Sequence, residues 1–156
     1  MNTETPESHV SSVILHPVSS ENWRAVARLK VSDTQQEYVA EPCYYLALCH
    51  YDRLWQPLAI CLGEQVIGFM MWAIDKADGC CWLGGILIDQ AYQRKGFGRQ
   101  AIQNVIAMLG SKHGFQHFAL SYAPTNPARH LYHTLGFIET GEQEDDEVVA
   151  RLSLER

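Results

Sequence analysis

Residues 93–100, "QRKGFGRQ", place two glycines and three cations within eight positions, between an apolar run and an amphipathic segment. A strand that feeds a glycine-rich turn and then a helix leaves several backbone N–H groups unpaired at the helix N-terminus. With the positive end of the helix dipole they form an anion site. Gly96 and Gly98 permit positive φ and carry no Cβ to hold a phosphate off the backbone. Arg94, Lys95 and Arg99 add positive charge beside them. On its own the loop reads equally as a tight βα turn, since such turns use glycine for geometry alone. Two phosphate loops are excluded. Position 101 is Ala where G-x-G-x-x-G wants a third glycine, no acidic residue closes a following strand, and no G-K-[ST] follows.

The rest of the chain is not built for polyanions. Twelve Lys and Arg stand against 18 Asp and Glu, a formal net charge of −6. That balance argues against nucleic acid as the main partner, because duplex binding relies on basic surface. It suits a cationic small molecule. The five cysteines (Cys43, Cys49, Cys61, Cys80 and Cys81) contain no CxxC pair and no zinc spacing, so they read as reduced, mostly buried thiols and no metal is expected. "MNTETPESHVSS" has neither a basic n-region nor an apolar h-region. The apolar runs are too short to span a bilayer. A cytoplasmic protein with no membrane partner is expected.

The elements that must position the loop follow from periodicity. Residues 1–11 read as a flexible N-terminus and 12–156 as a single domain. "SVILHPV" (12–18) predicts a first strand, and Trp23, Val26, Ala27 and Val31 share one face of a helix after Ser20. Asp33 and Gln36 have capping-box spacing ahead of a short helix, and Pro42 opens another that runs to about Tyr51. "PLAICLG" (57–63) and "QVIGFMMWAI" (65–74) predict a hairpin about Gly63-Glu64. "CCWLGGILID" (80–89), apolar on both faces, predicts a central strand, with Gly84-Gly85 marking a bulge. Ile102, Val105, Ile106 and Leu109 define an amphipathic helix over 98–112. "HFALSYA" (117–123) predicts a strand and "NPARHLYHTLGF" (126–137) a helix stopped by Gly136. "VVARLSL" (148–154) predicts a final strand.

"GILIDQAYQRKGFGRQAI" followed by "SYAPTNPARHLYHTLGF" is a strand, a Q-x-x-G-x-G loop and a helix, then a strand and an L-Y-x-x-L-G-F helix. In that order and spacing the two stretches resemble the GNAT superfamily of N-acetyltransferases, with the match strongest from Cys80 to Phe137. The resemblance implies an α/β single-domain fold: a mixed, mostly antiparallel sheet of six to seven strands, helices on both faces and a splayed central strand pair. It implies acetyl-CoA as cofactor, its pyrophosphate on the N–H groups of Gln93, Arg94, Lys95, Gly96, Phe97 and Gly98, with Arg99 beside them. Its pantetheine arm would pair with backbone of Ile86, Leu87 and Ile88. Tyr132 matches the tyrosine that commonly protonates the departing thiolate, the alternative being a core-facing aromatic. Asn126 matches a cofactor-side asparagine, but only Pro127 separates it from Ala128, so Thr125 is an alternative and an N-cap the plainer use of Asn126.

Within the superfamily, "YVAEPCYYLA", "WQPLAICLGEQVIGFMMW" and "Y-x-P-x-N" are most similar to bacterial diamine/spermidine/spermine N-acetyltransferases. The resemblance implies direct attack by a primary amine in a ternary complex, and homodimers are frequent in the superfamily. A polyamine site calls for carboxylates and aromatic faces. Glu37, Tyr38, Glu41, Tyr44 and Tyr45 lie in the helical region that the resemblance implies covers the acceptor side. Glu142, Glu144, Asp145, Asp146 and Glu147 form an acidic turn that reads equally as a solvated hairpin loop. Glu37, Glu41 and Asp89 are alternatives for the base. A protein N-terminus or an aminoglycoside amine would suit the same charges, and a non-catalytic CoA-binding sensor or assembly subunit would keep the same fold.

Overall fold

The computed structural model describes residues 12–155, so the flexible segment expected over 1–11 lies outside it. Seven strands form one sheet in the order β1-β2-β3-β4-β5-β7-β6. They are β1 (Ile14–Pro17), β2 (Gln56–Leu62), β3 (Gln65–Asp75), β4 (Cys80–Ile88), β5 (His117–Tyr122), β6 (Ile138–Glu144) and β7 (Glu147–Ser153). Every pairing is antiparallel except β4 with β5, which join only through Cys81–Phe118 and Trp82–Ala119. Beyond those two pairs the central strands part, and a wedge opens at their C-terminal ends. The expected mixed sheet with a splayed pair is what forms.

Four α-helices cover the sheet: α1 (Trp23–Ala27), α2 (Pro42–Asp52), α3 (Phe97–His113) and α4 (Arg129–Thr134). On one face Ala101, Ile102, Val105 and Leu109 of α3 and Tyr132 of α4 pack on Leu58, Ile60, Leu83, Phe118 and Leu120. On the other, Val26 of α1 and Cys49 of α2 pack on Ala59, Phe69, Met71 and Leu87. Helices therefore lie on both faces. The five cysteines are free, and all but Cys43 are buried. No helix among the described residues is long and apolar enough to cross a membrane.

The bulge foreseen at Gly84-Gly85 has a definite consequence. Phe69 opposes Leu87 and Met71 opposes Gly84, so β4 carries one residue more than β3 between these pairs. Gly85 takes up the extra residue at φ +59, a left-handed conformation that glycine adopts at no steric penalty. The side-chain alternation flips there. Cys81 and Leu83 face α3 before the bulge, and Ile86 and Ile88 face it after.

Three predicted helices are corrected. The one after Ser20 is limited to Trp23–Ala27, because tertiary hydrogen bonds then take over: Lys30 N–H donates to Asp89 Oδ1 at 2.9 Å and Gln90 N–H to Lys30 O at 2.6 Å. Trp23 faces solvent. No helix follows Asp33. Its side chain meets Gln36 Nε2 at 3.3 Å instead of capping backbone, and residues 33–39 form turns. The helix expected from Asn126 begins at Arg129, since Asn126 Oδ1 captures the Ala128 N–H at 2.9 Å and bends the chain into an Asx turn.

Candidate active site

The wedge leads into a cleft of about 400 Å³ lined by the end of β4, the loop before α3, the start of α3 and the turn into α4. Eleven of the residues picked from the sequence line it together: Ile86, Leu87, Ile88, Gln93, Arg94, Gly96, Phe97, Gly98, Arg99, Asn126 and Tyr132. Lys95, between Arg94 and Gly96, is exposed and does not line the cleft.

Gly96 is the N-cap of α3 at φ +83, with no side-chain cap and no acidic residue in the first turn. Gln100 N–H is the first to be satisfied within the helix, by Gly96 O at 3.1 Å. The N–H groups of the preceding turn are thus the free donors that an anion would take. Arg94 also has positive φ, +63, which turns successive N–H groups in one direction. Gly98, in contrast, is helical; its lack of a Cβ opens the cleft wall and does not serve the turn. The Arg99 guanidinium is bonded to the Thr134 hydroxyl on α4. Gln93 Nε2 donates to Ile88 O at 2.9 Å and to Gln35 Oε1, tying the loop to the end of β4.

From Leu83 onward no strand among the described residues pairs with the β5-facing edge of β4. That open edge runs from the α3 N-terminus past Ile88, Leu87 and Ile86 to the Gly85 bulge, where an extended ligand could pair with it as a strand would.

Tyr132 closes the far end. It packs on Tyr122 of β5, with ring centroids 5.2 Å apart, and against Phe137. Tyr122 is fixed by its hydroxyl, which donates to Glu139 Oε1 at 2.8 Å; Arg129 pairs with the same carboxylate. Burial pushes the Tyr132 phenol up to about 12, with smaller contributions from Tyr122, Glu147 and Tyr45. It is a proton donor at neutral pH.

Tyr45 reaches the bulge from α2. It stacks on Phe69 at 5.8 Å, accepts the Ala40 N–H at 2.9 Å, and lies 3.4 Å from where a Cβ on Gly85 would be. Glu37 and Glu41 do not join it. Both are exposed and neither lines the cleft, because the segment before Pro42 is turned and not helical. Asp89 serves the backbone, accepting from Lys30 N–H and Ala91 N–H.

The roof of the cleft is not readable from the sequence. Tyr38 crosses it, donating to Thr125 at 3.1 Å, and Val31, Ser32 and Gln35 complete it. Only the tertiary fold brings these turns over β4. On the α2 side a smaller recess of about 340 Å³ is lined by Trp55, Trp82, Asp75, Lys76 and Glu144.

Residues 23–137 match the model of the acetyltransferase (GNAT) family. The chain belongs to that family. That membership makes it an N-acetyltransferase. The spermine/spermidine N(1)-acetyltransferase of Bacillus subtilis (strain 168) is 29% identical over 141 residues, which cover 84% of this chain and 91% of that one. Among solved structures, an acetyltransferase from Thermus thermophilus superposes with a TM-score of 0.77 at 18% identity, over 94% of this chain and 99% of the other. Spermidine N-acetyltransferase from Vibrio cholerae, solved in complex with CoA and spermine, gives 0.71 at 20%, over 91% and 94%. At those identities the structures speak for the fold. For this GNAT chain the cleft, the open β4 edge and Tyr132 are therefore the place to look for transfer chemistry.

Proposed function

We propose that this chain transfers acetyl from acetyl-CoA to a primary amine of a small polyamine, by direct attack within a ternary complex. The observation that carries the reading is the unpaired edge of β4, which joins free helix N-terminal donors at one end to a protonated phenol at the other. The groups present fit the cofactor. The N–H groups about Gly96, with Arg94 and Lys95, would hold the pyrophosphate; Ile86 to Ile88 would hold the pantetheine arm. The bound thioester supplies an activated acetyl group. Tyr132 holds the proton that the leaving sulfur needs. Asn126 shapes the turn into α4 and lines the cleft, while Thr125 anchors the roof through Tyr38.

The polyamine assignment draws on the named relatives and on the α2 face of the sheet, where Trp55 and Trp82 line a recess with Glu144 and Tyr45 reaches the bulge. Aromatic faces and carboxylates are what ammonium groups bind. Glu37, Glu41 and Tyr45 are the sequence-based choices for this side, and Tyr45 is the one that reaches the bulge.

The test follows thiol release from acetyl-CoA with spermidine, spermine, putrescine, lysine, an N-terminal peptide and an aminoglycoside. Spermidine or spermine should give the highest kcat/KM. A peptide or aminoglycoside preference would reassign the acceptor. CoA binding with no turnover on any amine would point to a sensor.

A further inference from the structure

The attacking nitrogen must shed protons, and none of Glu37, Glu41 and Asp89 is placed to take them. Asp89 spends both oxygens on backbone N–H groups beyond the end of β4. Glu37 and Glu41 are exposed on the turned segment before α2, where no side-chain cap bond holds Glu41.

We propose that Glu147, tethered by Ser121 at the mouth of the wedge, is the proton acceptor for the incoming amine. Ser121 lies on β5 two residues past Ala119, the last residue paired with β4. Alternation along β5 sends Phe118, Leu120 and Tyr122 to the α3 face, which leaves Ala119 and Ser121 toward α2. Ser121 Oγ donates to Glu147 Oε1 at 3.0 Å, fixing this half-buried carboxylate on the α2 side of the wedge. Tyr132 enters from α4 on the opposite face, and Tyr45 comes down from α2 beside the bulge. Burial raises both phenols most, and the Glu147 charge adds a smaller upward push to each. Glu144 is its cross-strand neighbour. Arg151, on the same strand, is committed to Glu142 and Asp78. Glu147 and Tyr132 thus stand on opposite faces of the sheet at the wedge, the base on the α2 side and the acid on the α3 side.

The assignment rests on the acetyltransferase reading of this cleft, and its proton balance closes. An ammonium proton passes to Glu147, and the freed lone pair forms the N–C bond to the acetyl carbon. The C–S bond breaks with its electrons on sulfur, which takes the Tyr132 proton. The nitrogen's second proton restores Tyr132, and Glu147 returns the first to water. The products are an amide, a thiol and one released proton.

The experiment compares wild type, Glu147→Gln and Ser121→Ala on an ordinary diamine and on a diamine fluorinated beside the reacting nitrogen, whose amine is largely neutral at neutral pH. Removing a general base should lower kcat/KM for the ordinary diamine by on the order of 10²-fold. The fluorinated diamine should change by less than about threefold, because its ground state needs no deprotonation. Acetyl-CoA affinity and Tm should match wild type, and Ser121→Ala should show a smaller loss with the same selectivity. Full activity of Glu147→Gln on the ordinary diamine would overturn the assignment, as would equal losses on both acceptors. Should Glu147→Gln fail to fold, Ser121→Ala decides by the same criterion. If the wild type uses another amine class, the polyamine reading fails, and Glu147 is judged by the same comparison on that amine and its fluorinated counterpart.

Discussion

Gly85 is where the fold and the chemistry meet, and Gly85→Ala tests both. At φ +59 an alanine pays the left-handed penalty of about 1–2 kcal/mol. The reduced freedom of the unfolded chain returns about 0.4–1 kcal/mol, which leaves roughly 1 kcal/mol of backbone strain. Packing adds to it. The new Cβ would stand 3.2 Å from Phe69 Cε1 and 3.4 Å from Met71 Cε and Tyr45 Cδ1. Phe69 is fully buried and stacked on Tyr45, so it yields only by leaving its rotamer, which costs about 0.5–1.5 kcal/mol. The expected loss is roughly 2 kcal/mol, or about 4–8 °C in Tm for a domain of this size.

Gly79→Ala is the control. Gly79 has φ +67 in the β3–β4 turn, and a Cβ there meets nothing within 4 Å. Only the backbone strain of roughly 1 kcal/mol should appear, about 2–4 °C, with acetyl transfer unchanged. For Gly85→Ala, a shift of the bulge relative to Tyr132 should lower kcat/KM by on the order of 10²-fold. Thermal melts and thiol release read the two effects separately. If Gly85→Ala were as stable as Gly79→Ala and fully active, the bulge would be neither tightly packed nor part of the site.

Tyr132→Phe should reduce kcat by about 10²-fold or more while leaving acetyl-CoA affinity within about twofold. With its phenol pushed up to about 12, single-turnover transfer should show no loss from its ionisation as pH rises to about 10. Arg94→Ala combined with Lys95→Ala should weaken CoA binding measured by calorimetry, and should flatten its dependence on salt. Arg151 holds the Glu142 carboxyl down to about 2 from its ordinary 4.5. A depressed carboxyl stabilises the fold above its unfolded value and loses that contribution as pH falls through the folded one. The Tm gap between wild type and Arg151→Leu should therefore narrow as pH drops from 4.5 toward 2, and a constant gap would show that Arg151 acts through packing on Trp82 alone.

The half of the cleft proposed to hold the donor was legible because its signals are local. Gly96 caps the helix that Ile102, Val105 and Leu109 announce, and Gly85 lies within the strand whose phase it resets; each statement needs only a few consecutive residues. The half proposed to receive the amine resisted because its geometry is made by distant partners. Lys30 leaves its predicted helix to meet Asp89, 59 residues away, and Tyr38 finds Thr125 at a separation of 87. Those two bonds decide that residues 33–39 roof the cleft as turns, which in turn removes Glu37 and Glu41 from it. Glu147 shows the same limit from the other side. In the sequence it is one of five acids in a turn, indistinguishable from solvated neighbours. It is set apart by Ser121, 26 positions earlier, and by the parting of β4 from β5. A carboxylate becomes a candidate base through its position at a break in strand pairing, and such a break is a property of two strands that neither sequence carries alone.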